Sequence, residues 1–276
     1  MKKYLVLPRL EFRGATGSPL WWVAGCPGPS AALGLGNYLA LETGGAALTR
    51  AYRGAALVMH DFRYRAETIQ GGTYPHQLRA AVFIDAKDYA KGLLLSSQPT
   101  IRCDGVASLI LAFDESAPVD TVKLEKALGR ARFAGGSIID HGFMAASATF
   151  AGSLADACDE LHSGFGFHDR QDLITPRDGE PDPLAAFLRA TRRPANMAPS
   201  DGERTAHETW LMPYLGGYRA MGGLRRRPMA REGYPSAYAE PLAGLGQLIS
   251  LRDRHAPLWV FSREAGDLYL YRQQRA

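Results

Sequence analysis

The sequence predicts an α+β fold in which a βαββαβ domain is followed by a smaller, β-containing lobe. Three observations predict it. Strand patterns alternate with helical patterns over residues 1–140, a proline suited to a first helical turn follows the first strand, and Pro- and Gly-rich connections become frequent after residue 140. A length of 276 residues allows two lobes that each bury a core, and 46% hydrophobic residues is ordinary for a globular chain.

The first half, residues 1–140, holds the predicted elements in a known order. Strand patterns occupy residues 2–12, 54–65, 105–115 and 135–140, while helix patterns follow Pro29-Ser30 and cover residues 119–131. The order βαββαβ is that of a ferredoxin-like or RRM-like fold. The segment at about residues 66–104 is too long for a hairpin between the second and third strands, so we predict that it forms an inserted excursion.

The second half, residues 141–276, is predicted to form the smaller lobe. Short helices are expected at residues 153–162 and 183–193, the second started by Asp182 and Pro183. Residues 209–215 are predicted to form a strand, and the segments APLWVFS and DLYLYR are predicted to form a closing hairpin with Ala265-Gly266 at its turn.

The sequence holds no recognisable catalytic motif. It lacks the phosphate-binding GxxxxGK[ST] loop, GxGxxG after a strand, HExxH and GxSxG. The dipeptides His60-Asp61 and His168-Asp169 are weak metal signals, and three distant cysteines fit neither a disulfide framework nor a metal site. We therefore predict no enzyme, no catalytic residue, no metal and no cofactor.

The ends and apolar segments of the chain favour the cytoplasm. The start, MKKYLVLPRLEFR, is interrupted by arginine and proline and is not typical of a signal peptide, and no apolar run is long enough to span a bilayer. We therefore expect a cytoplasmic protein that does not associate with a membrane.

The basic residues are almost all arginine and are unevenly distributed. Net charge is only +4, but arginine supplies 26 of the 32 basic residues. High genomic GC content would produce the same bias, whereas anion recognition would select arginine because its planar fork suits phosphate and base edges. Five arginines and no acid lie between Thr209 and Arg231, which indicates a localised basic sector that suits a polyanionic partner.

Three segments carry the candidate contacts to an anion, and together they favour single-stranded RNA. In RARFAGGSII, Arg130 and Arg132 precede Gly135-Gly136, which can present backbone N–H groups to an anion or simply cap the second helix. The excursion carries His76 and Arg79 and follows Arg63 and Arg65, and arginines interleaved with aromatic residues suit stacked bases.

The third segment is GGYRAMGGLRRRP, residues 216–228, which we predict to be a loop. Its glycines allow a ligand to approach the backbone closely, and its arginines can neutralise phosphates. The alternative is a solvated surface loop. The candidate contacts here are Tyr218, Arg219, Arg225, Arg226 and Arg227.

Five motifs carry a resemblance to a known family. LVLPRL, SPLWWVAGCPGPSAALGLGNYLAL, ARFAGGSII, TWLMPYLGGYRAM and LAGLGQLIS follow one another from Tyr4 to about Arg254. In this order the sequence resembles the Cas-five-type subunit of type I-F CRISPR surveillance complexes, the second subunit of the Csy complex and a member of the RAMP superfamily. Arg9, Asn37 and Ser137 lie within these motifs and are therefore further candidate RNA contacts; Asn37 stands where the family carries histidine.

The resemblance implies a fold and a role. The fold would be a ferredoxin-like RAMP domain with an inserted thumb, here at about residues 66–104, and a second lobe. The role would be a non-catalytic one: to bind the 5′ handle of the CRISPR RNA and to dock the large subunit and the first backbone filament subunit, with target DNA contacted indirectly or near its PAM.

Two alternatives remain open from the sequence. Some relatives in other CRISPR subtypes cleave the repeat RNA, and such an endoribonuclease would need a general base, for which His60, His76 and His141 are candidates. The other alternative is a stand-alone single-stranded RNA-binding module.

Overall fold

A computed structural model describes most of the chain. The described residues are 2–20, 23–70, 72–75, 77–81, 97–174, 182–191, 211–227, 234–264 and 267–274. Over these residues the protein is a mixed α/β fold with one large antiparallel sheet and few helices.

The helices and strands are numbered in chain order. The helices are α1 (Pro29–Ala51), α2 (Thr121–Leu128), α3 (Leu154–Asp159) and α4 (Pro183–Thr191). The strands are β1 (Lys2–Thr16), β2 (Tyr52–Tyr64), β3 (Ala66–Ile69), β4 (Gly72–Pro75), β5 (Gln77–Ala81), β6 (Ser97–Asp114), β7 (Arg132–Phe133), β8 (Gly136–Asp140), β9 (Phe150–Ala151), β10 (Phe165–Asp169), β11 (Leu211–Arg225), β12 (Ser236–Ser250), β13 (Trp259–Glu264) and β14 (Leu268–Gln273).

The order predicted for the first half is found among these elements. β1, α1, β2, β6, α2 and β8 follow one another along the chain, and the strands lie side by side as β2-β6-β1-β8 with every neighbouring pair antiparallel. α1 and α2 pack on one face of this sheet through a core of apolar side chains, among them Leu7, Leu39 and Leu124. A second apolar cluster, which includes Val6, Val58 and Ile110, is buried on the other face of the same strands. Burial on both faces explains why these strands contain nearly continuous apolar runs.

Strands from the second half join the same sheet and close into a ring. β10, β12, β11, β14 and β13 pair in that order, and both ends of the series pair with one edge of β2, through Val58 and Met59 at β10 and through Ala55 at β13. Inside the ring, Phe167, Tyr214 and Trp259 pack edge to face with ring centroids 5.3–6.0 Å apart. The two predicted lobes therefore share one continuous sheet.

Several predicted bounds need correction. The third strand of the first half begins at Ser97 rather than at residue 105, because residues 97–101 pair with β5. The second predicted helix ends at Leu128 with Gly129 as its C-cap, so Gly135-Gly136 does not cap it. The strand β12 was not predicted, and Ala265-Gly266 lies outside the described residues.

The prediction of a loop at residues 216–228 is wrong for most of its length. β11 continues through Arg225, because it pairs with β12 as far as Arg225 opposite Ser236. The strand accommodates its glycines as irregularities: the register shifts at Gly217, where a Cβ would clash with the carbonyl oxygen of Tyr269 on β14. The glycines therefore mark bulges in a strand.

Candidate nucleic-acid interface

A row of arginines crosses the face of the sheet opposite α1. Arg63 on β2 is the register partner of Asp104 on β6, and Arg13 on β1 pairs with Ser137 on β8, which in turn pairs with Arg132 on β7. β1 bulges between Phe12 and Ala15, opposite Asp104. At this bulge the pair on β2 and β6 meets the residues on β1, β8 and β7. Directly opposed residues project to the same side of a sheet, so the three guanidinium groups share one face.

Asp104 and the neighbouring backbone of Gly14 hold two further arginines beside this row. Its carboxylate accepts hydrogen bonds from Arg65 Nε at 3.1 Å and from the backbone N–H of Gly14 at 2.8 Å, while Arg102 Nη1 donates to the carbonyl oxygen of Gly14 at 3.0 Å. Burial opposes ionisation of Asp104, but the hydrogen bonds from Arg65 and Gly14 outweigh it and hold the pKa of the carboxyl below its usual range. The five arginines Arg13, Arg63, Arg65, Arg102 and Arg132 are called the arginine face below.

The arginine face carries a surplus of positive charge. Arg13 pairs with Glu11 at 3.2 Å and Arg65 with Asp104 at 3.0 Å, both on the surface. Arg63 and Arg132 are exposed and form no ion pair within the described part of the chain. Such guanidinium groups are available to an anionic ligand.

A row of acids bounds the arginine face on one side. Asp61 and Glu11 both lie opposite Val106, and Glu11 is also the register partner of Asp140. This row lies about two residues further along the strands, or roughly 7 Å away. A polyanion is therefore favoured across the strands along the arginines and disfavoured along the strands past the acids.

Arg9 lies beyond the acidic row, at a second bulge in β1. Its φ of 49° is unusual for a residue other than glycine, and its N–H donates to the buried Ser108 Oγ at 2.9 Å. His60 Nε2 lies 2.6 Å from the same hydroxyl oxygen. Burial, together with the charge of Arg9, lowers the pKa of His60. The exposed Arg9 is thus separated from the arginine face by Glu11.

Gly135-Gly136 forms the end of a tight hairpin rather than an open loop. Ala134 and Gly135, with φ of 48° and 78°, connect β7 to β8 as a two-residue turn, for which positive φ at both positions is typical. Gly136 is buried, and a Cβ there would lie 2.5 Å from the backbone nitrogen of Ala15. The pair holds the hairpin against β1 and so positions Arg132 and Ser137. Arg130 is exposed between α2 and this hairpin.

A second basic surface lies on the distal part of β11 and β12. Beyond Ala220 every described residue of β11 and its continuation to Arg227 is exposed, and the paired residues of β12 from Tyr238 to Glu240 are exposed as well. We call this two-stranded projection, residues 221–227 and 234–240, the distal ribbon. It combines arginines with large exposed side chains: Met221 is 57% exposed, Tyr234 72% and Tyr238 70%.

The distal ribbon offers both charge and stacking surface. The Arg227 guanidinium lies 4.6 Å from the centroid of the Tyr238 ring, and its Nε donates to the carbonyl oxygen of Ser236 at 3.4 Å. Arg225 and Arg226 are exposed and make no ion pair with any described residue. Around Gly222 and Gly223 a Cβ would meet nothing within 4 Å, so a ligand can approach the backbone there.

The remaining predicted contacts lie apart from these two surfaces. Arg219, nearer the sheet, pairs with Asp267 at 3.6 Å, and Tyr218 packs edge to face on Tyr271 at 6.5 Å. Asn37 is exposed on α1, on the opposite face of the sheet from the arginine face, where it lines a cavity of about 510 Å³. His76 lies outside the described residues, and for Arg79 only the backbone pairing with Pro99 is described.

Candidate groups for other chemistry are occupied or buried. Burial raises the pKa of the Cys26 and Cys103 thiols to about 12, and His141 Nδ1 lies 3.2 Å from the carbonyl oxygen of Phe143. In the described ranges no group of three metal-ligating side chains converges. No helix in the same ranges is both long and apolar enough to cross a membrane.

Sequence reasoning did not find two members of the arginine face, Arg13 and Arg102. Arg13 follows an apolar strand pattern and Arg102 was assigned to the excursion, so neither stood beside a recognisable motif. What joins them to Arg63 and Arg132 is cross-strand register. The alternation of side chains along a strand predicts which residues of that strand share a face. It does not predict which residues of the other strands lie opposite them.

The fold and the two basic surfaces define a class of protein: a mixed α/β protein with an arginine-lined sheet face and a protruding basic ribbon, which suits the binding of nucleic acid. The family described as CRISPR-associated protein (Cas_Csy2) matches residues 5–271. The chain therefore belongs to the Csy2 family, the second-subunit family of type I-F CRISPR complexes, whose members assemble with other Cas subunits and CRISPR RNA. None of the curated proteins matches this chain.

Proposed function

We propose that this chain holds the 5′ handle of the CRISPR RNA in a type I-F surveillance complex and does so without catalysing a reaction. The observation that carries the proposal is the arginine face: of its five guanidinium groups, two are ion-paired with described residues, Arg13 with Glu11 and Arg65 with Asp104. Family membership supports a place in the complex, and the arginine face supports a contact to its RNA.

The geometry of the arginine face suits a single strand that crosses the sheet. From Arg63 on β2 to Arg132 on β7 the row spans five neighbouring strands, or roughly 19 Å. Arginines at successive strands can contact successive phosphates, and the acidic row of Asp61, Glu11 and Asp140 favours this path over one along the strands. The RNA backbone therefore runs across β2, β6, β1, β8 and β7.

The distal ribbon is a second contact in this proposal. Arg225 and Arg226 neutralise phosphates, and the exposed Tyr238 and Tyr234 rings offer stacking surfaces to splayed bases. The open space beside Gly222 and Gly223 lets the RNA backbone lie against the ribbon. Arg219 has an acidic partner already and contributes less to phosphate binding.

The proposal extends to the fold and to the partners. The strand order β2-β6-β1-β8 supports a ferredoxin-like RAMP domain, since it is the order that a βαββαβ chain of that type adopts. The large subunit, the first backbone filament subunit and target DNA near its PAM are the expected neighbours, and the excursion between β2 and β6 is the expected thumb.

The test is binding of a fluorescently labelled guide RNA that carries the 5′ handle. We expect the double variant Arg63→Ala/Arg132→Ala to weaken binding by at least tenfold and to reduce the slope of log affinity against log salt by about 1.4, or 0.7 per phosphate contact. The matched control is Arg50→Ala/Arg252→Ala, which removes the same two charges from exposed sites elsewhere. Equal losses in both proteins would overturn the assignment to this face.

The same protein tests the non-catalytic part of the proposal. We expect labelled repeat RNA to remain intact during prolonged incubation without metal. His60 Nε2 lies against the buried Ser108 hydroxyl and His141 Nδ1 against a backbone carbonyl, so each ring is held in place and is tested as a general base by substitution. Site-specific, metal-independent cleavage that is lost in His60→Ala or His141→Ala would show the chain to be a processing endoribonuclease.

A further inference from the structure

Four aromatic side chains form a continuous surface on β11, β13 and β14 that the RNA proposal does not use. Phe261 lies nearly parallel to Tyr269, with 6.1 Å between their ring centroids, and is tilted against Tyr271 at 5.9 Å. Tyr271 in turn contacts Tyr218 edge to face. Phe261 is 56% exposed and Tyr218 is exposed as well. We call these four rings the aromatic surface.

A cavity of about 510 Å³ lies between the aromatic surface and α1. Phe261 and Tyr271 line it from the strands, and Ser30, Gly34 and Asn37 line it from the helix. Exposed rings beside a cavity of this kind can bury an anchoring side chain of a partner and exclude water around it.

The aromatic surface carries little free charge. Arg53 at the cavity pairs with Asp114, with its Nε 2.7 Å from Oδ1, and Arg219 also has an acidic partner. Arg263 lies 5.5 Å from the centroid of the Tyr269 ring, is exposed, and forms no ion pair with the residues that the structure describes. A phosphate backbone requires several available cations, whereas the centre of a protein interface is rich in aromatic residues and poor in charged ones. The aromatic surface therefore suits a protein.

The aromatic surface lies on the side of the sheet that the arginine face does not use. It shares its cavity with α1, which packs on the face opposite the arginines, and Tyr271 packs against the same apolar core as α1. A protein bound here would not obstruct an RNA strand on the arginine face.

The position of the cavity along β2 favours one of the two expected protein neighbours. Arg53 and Gly54 of β2 line the cavity, whereas Arg63 of the arginine face lies ten residues beyond Arg53, roughly 30 Å along an extended strand. The guide is continuous with the handle, so the first backbone filament subunit must lie beside the RNA, near the arginine face. The large subunit is not bound by this requirement and can occupy the opposite side.

We propose that the aromatic surface docks the large subunit, which inserts an apolar or aromatic side chain into the cavity beside Phe261 and places a carboxylate near Arg263. The inserted side chain supplies most of the affinity, because buried anchors in fitted pockets dominate protein interfaces. The carboxylate complements the one cation of the aromatic surface that lacks an ion pair among the described residues and fixes the orientation. The identity of this partner rests on the proposed function.

The experiment measures binding of the purified large subunit of the same complex to the full chain, without RNA, by biolayer interferometry. We expect the wild type to bind it and Phe261→Ala to bind it at least tenfold more weakly, because the exposed ring is lost. Gly34→Gln should weaken binding by at least tenfold as well, because its side chain occupies the cavity.

The glycine variants separate docking from folding. Gly34 is exposed within α1, and a Cβ there would meet nothing within 4 Å. Because glutamine and alanine both favour helix over glycine, Gly34→Gln and Gly34→Ala should melt at or above the wild-type temperature. Gly34→Ala is the matched control: it makes the same change in the helix without reaching into the cavity, and it should bind the large subunit as the wild type does.

Binding of guide RNA to the same proteins separates this surface from the arginine face. Phe261→Ala and Gly34→Gln should bind guide RNA as the wild type does, and Arg63→Ala/Arg132→Ala should bind the large subunit as the wild type does. If the arginine variant keeps guide RNA while Phe261→Ala loses the large subunit, the proposed RNA contact fails and the docking surface is supported.

Three results would overturn the docking surface. The first is that the large subunit does not bind the wild-type chain. The second is that Phe261→Ala and Gly34→Gln bind it as tightly as the wild type. The third is that these variants lose guide RNA or the backbone filament subunit while they keep the large subunit, which would assign the aromatic surface to that other partner.

Discussion

Replacing His168 with phenylalanine is expected to make thermal stability less sensitive to acid. In the folded protein the pKa of His168 is about 4, against 6.5 for an ordinary histidine, because the ring is buried and Arg254 and Arg170 lie nearby. The unfolded chain therefore takes up a proton at a higher pH than the folded one. The contribution of the neutral His168 ring to the free energy of unfolding is fully present above pH 6.5. It is lost as the pH falls from 6.5 towards 4.

The magnitude follows from that difference. A shift of this size corresponds to about 3 kcal/mol of unfolding free energy once the pH is below both values, and about 2 kcal/mol of it is lost by pH 5. For a chain of this length, 2 kcal/mol corresponds to a fall in melting temperature of about 4–8 °C. Burial raises the pKa of the neighbouring Asp169, so protonation of its carboxyl on acidification opposes this trend.

The assay is thermal denaturation of wild type and His168→Phe followed by circular dichroism at pH 7.5 and pH 5. Groups remote from position 168 respond to acid alike in both proteins, so the difference between their melting-temperature shifts reports His168 and its immediate neighbours. We expect the wild type to lose about 4–8 °C more than the variant. If both proteins lose the same number of degrees, His168 is not held as a buried neutral ring, and the reasoning about its surroundings fails.

Three further predictions concern other parts of the molecule. Gly136→Val should lower the unfolding free energy by about 1–3 kcal/mol in chemical denaturation, because its Cβ would lie 2.5 Å from the nitrogen of Ala15; unchanged stability would mean that the hairpin can shift. Replacing Arg225, Arg226 and Arg227 together with alanine should reduce the salt slope of guide-RNA binding by about two, and an unchanged slope would identify a merely solvated ribbon. Trp259→Ala should cost about 3–5 kcal/mol, because its ring is fully buried and its Nε1–H donates to Phe167; a loss below 1 kcal/mol in urea denaturation would contradict the packing inside the ring.

The βαββαβ order could be predicted because its signals are local. Asp120 caps α2 through the N–H of Lys123, and Pro29 opens α1, so short sequence patterns set where these helices begin. β12 was not predicted because Pro235 precedes it and because the segment from Ser236 to Ser250 contains one proline and two glycines. Its long-range pairing with β11 and β10 makes it a strand. Tertiary pairing here overrides local preference.

The candidate site was predictable residue by residue but not as a surface. The predicted contacts included Arg63, Arg65 and Arg132 because of their residue type and their sequence neighbours. The same prediction included Asn37, which lies on the opposite face of the sheet. Strand register depends on bulges such as the one at Arg13-Gly14, and a one-residue shift moves a side chain to the other face. The surroundings of His168 are built by segments far apart along the chain, since β10 pairs with β12 and β2, and in the sequence this residue stood out only in the dipeptide His168-Asp169.

The closure of the ring on β2 has a consequence for biosynthesis. One edge of β2 pairs with β10 and β13, and β13 begins about 200 residues after β2 along the chain. At ordinary translation rates of about 5–20 residues per second, part of that edge stays open for roughly 10–40 s while the ribosome makes the rest. An open strand edge can pair with another chain. Slow synthesis, or truncation before Trp259, therefore exposes the nascent chain to aggregation. The yield of folded protein then depends on the chaperones available during translation.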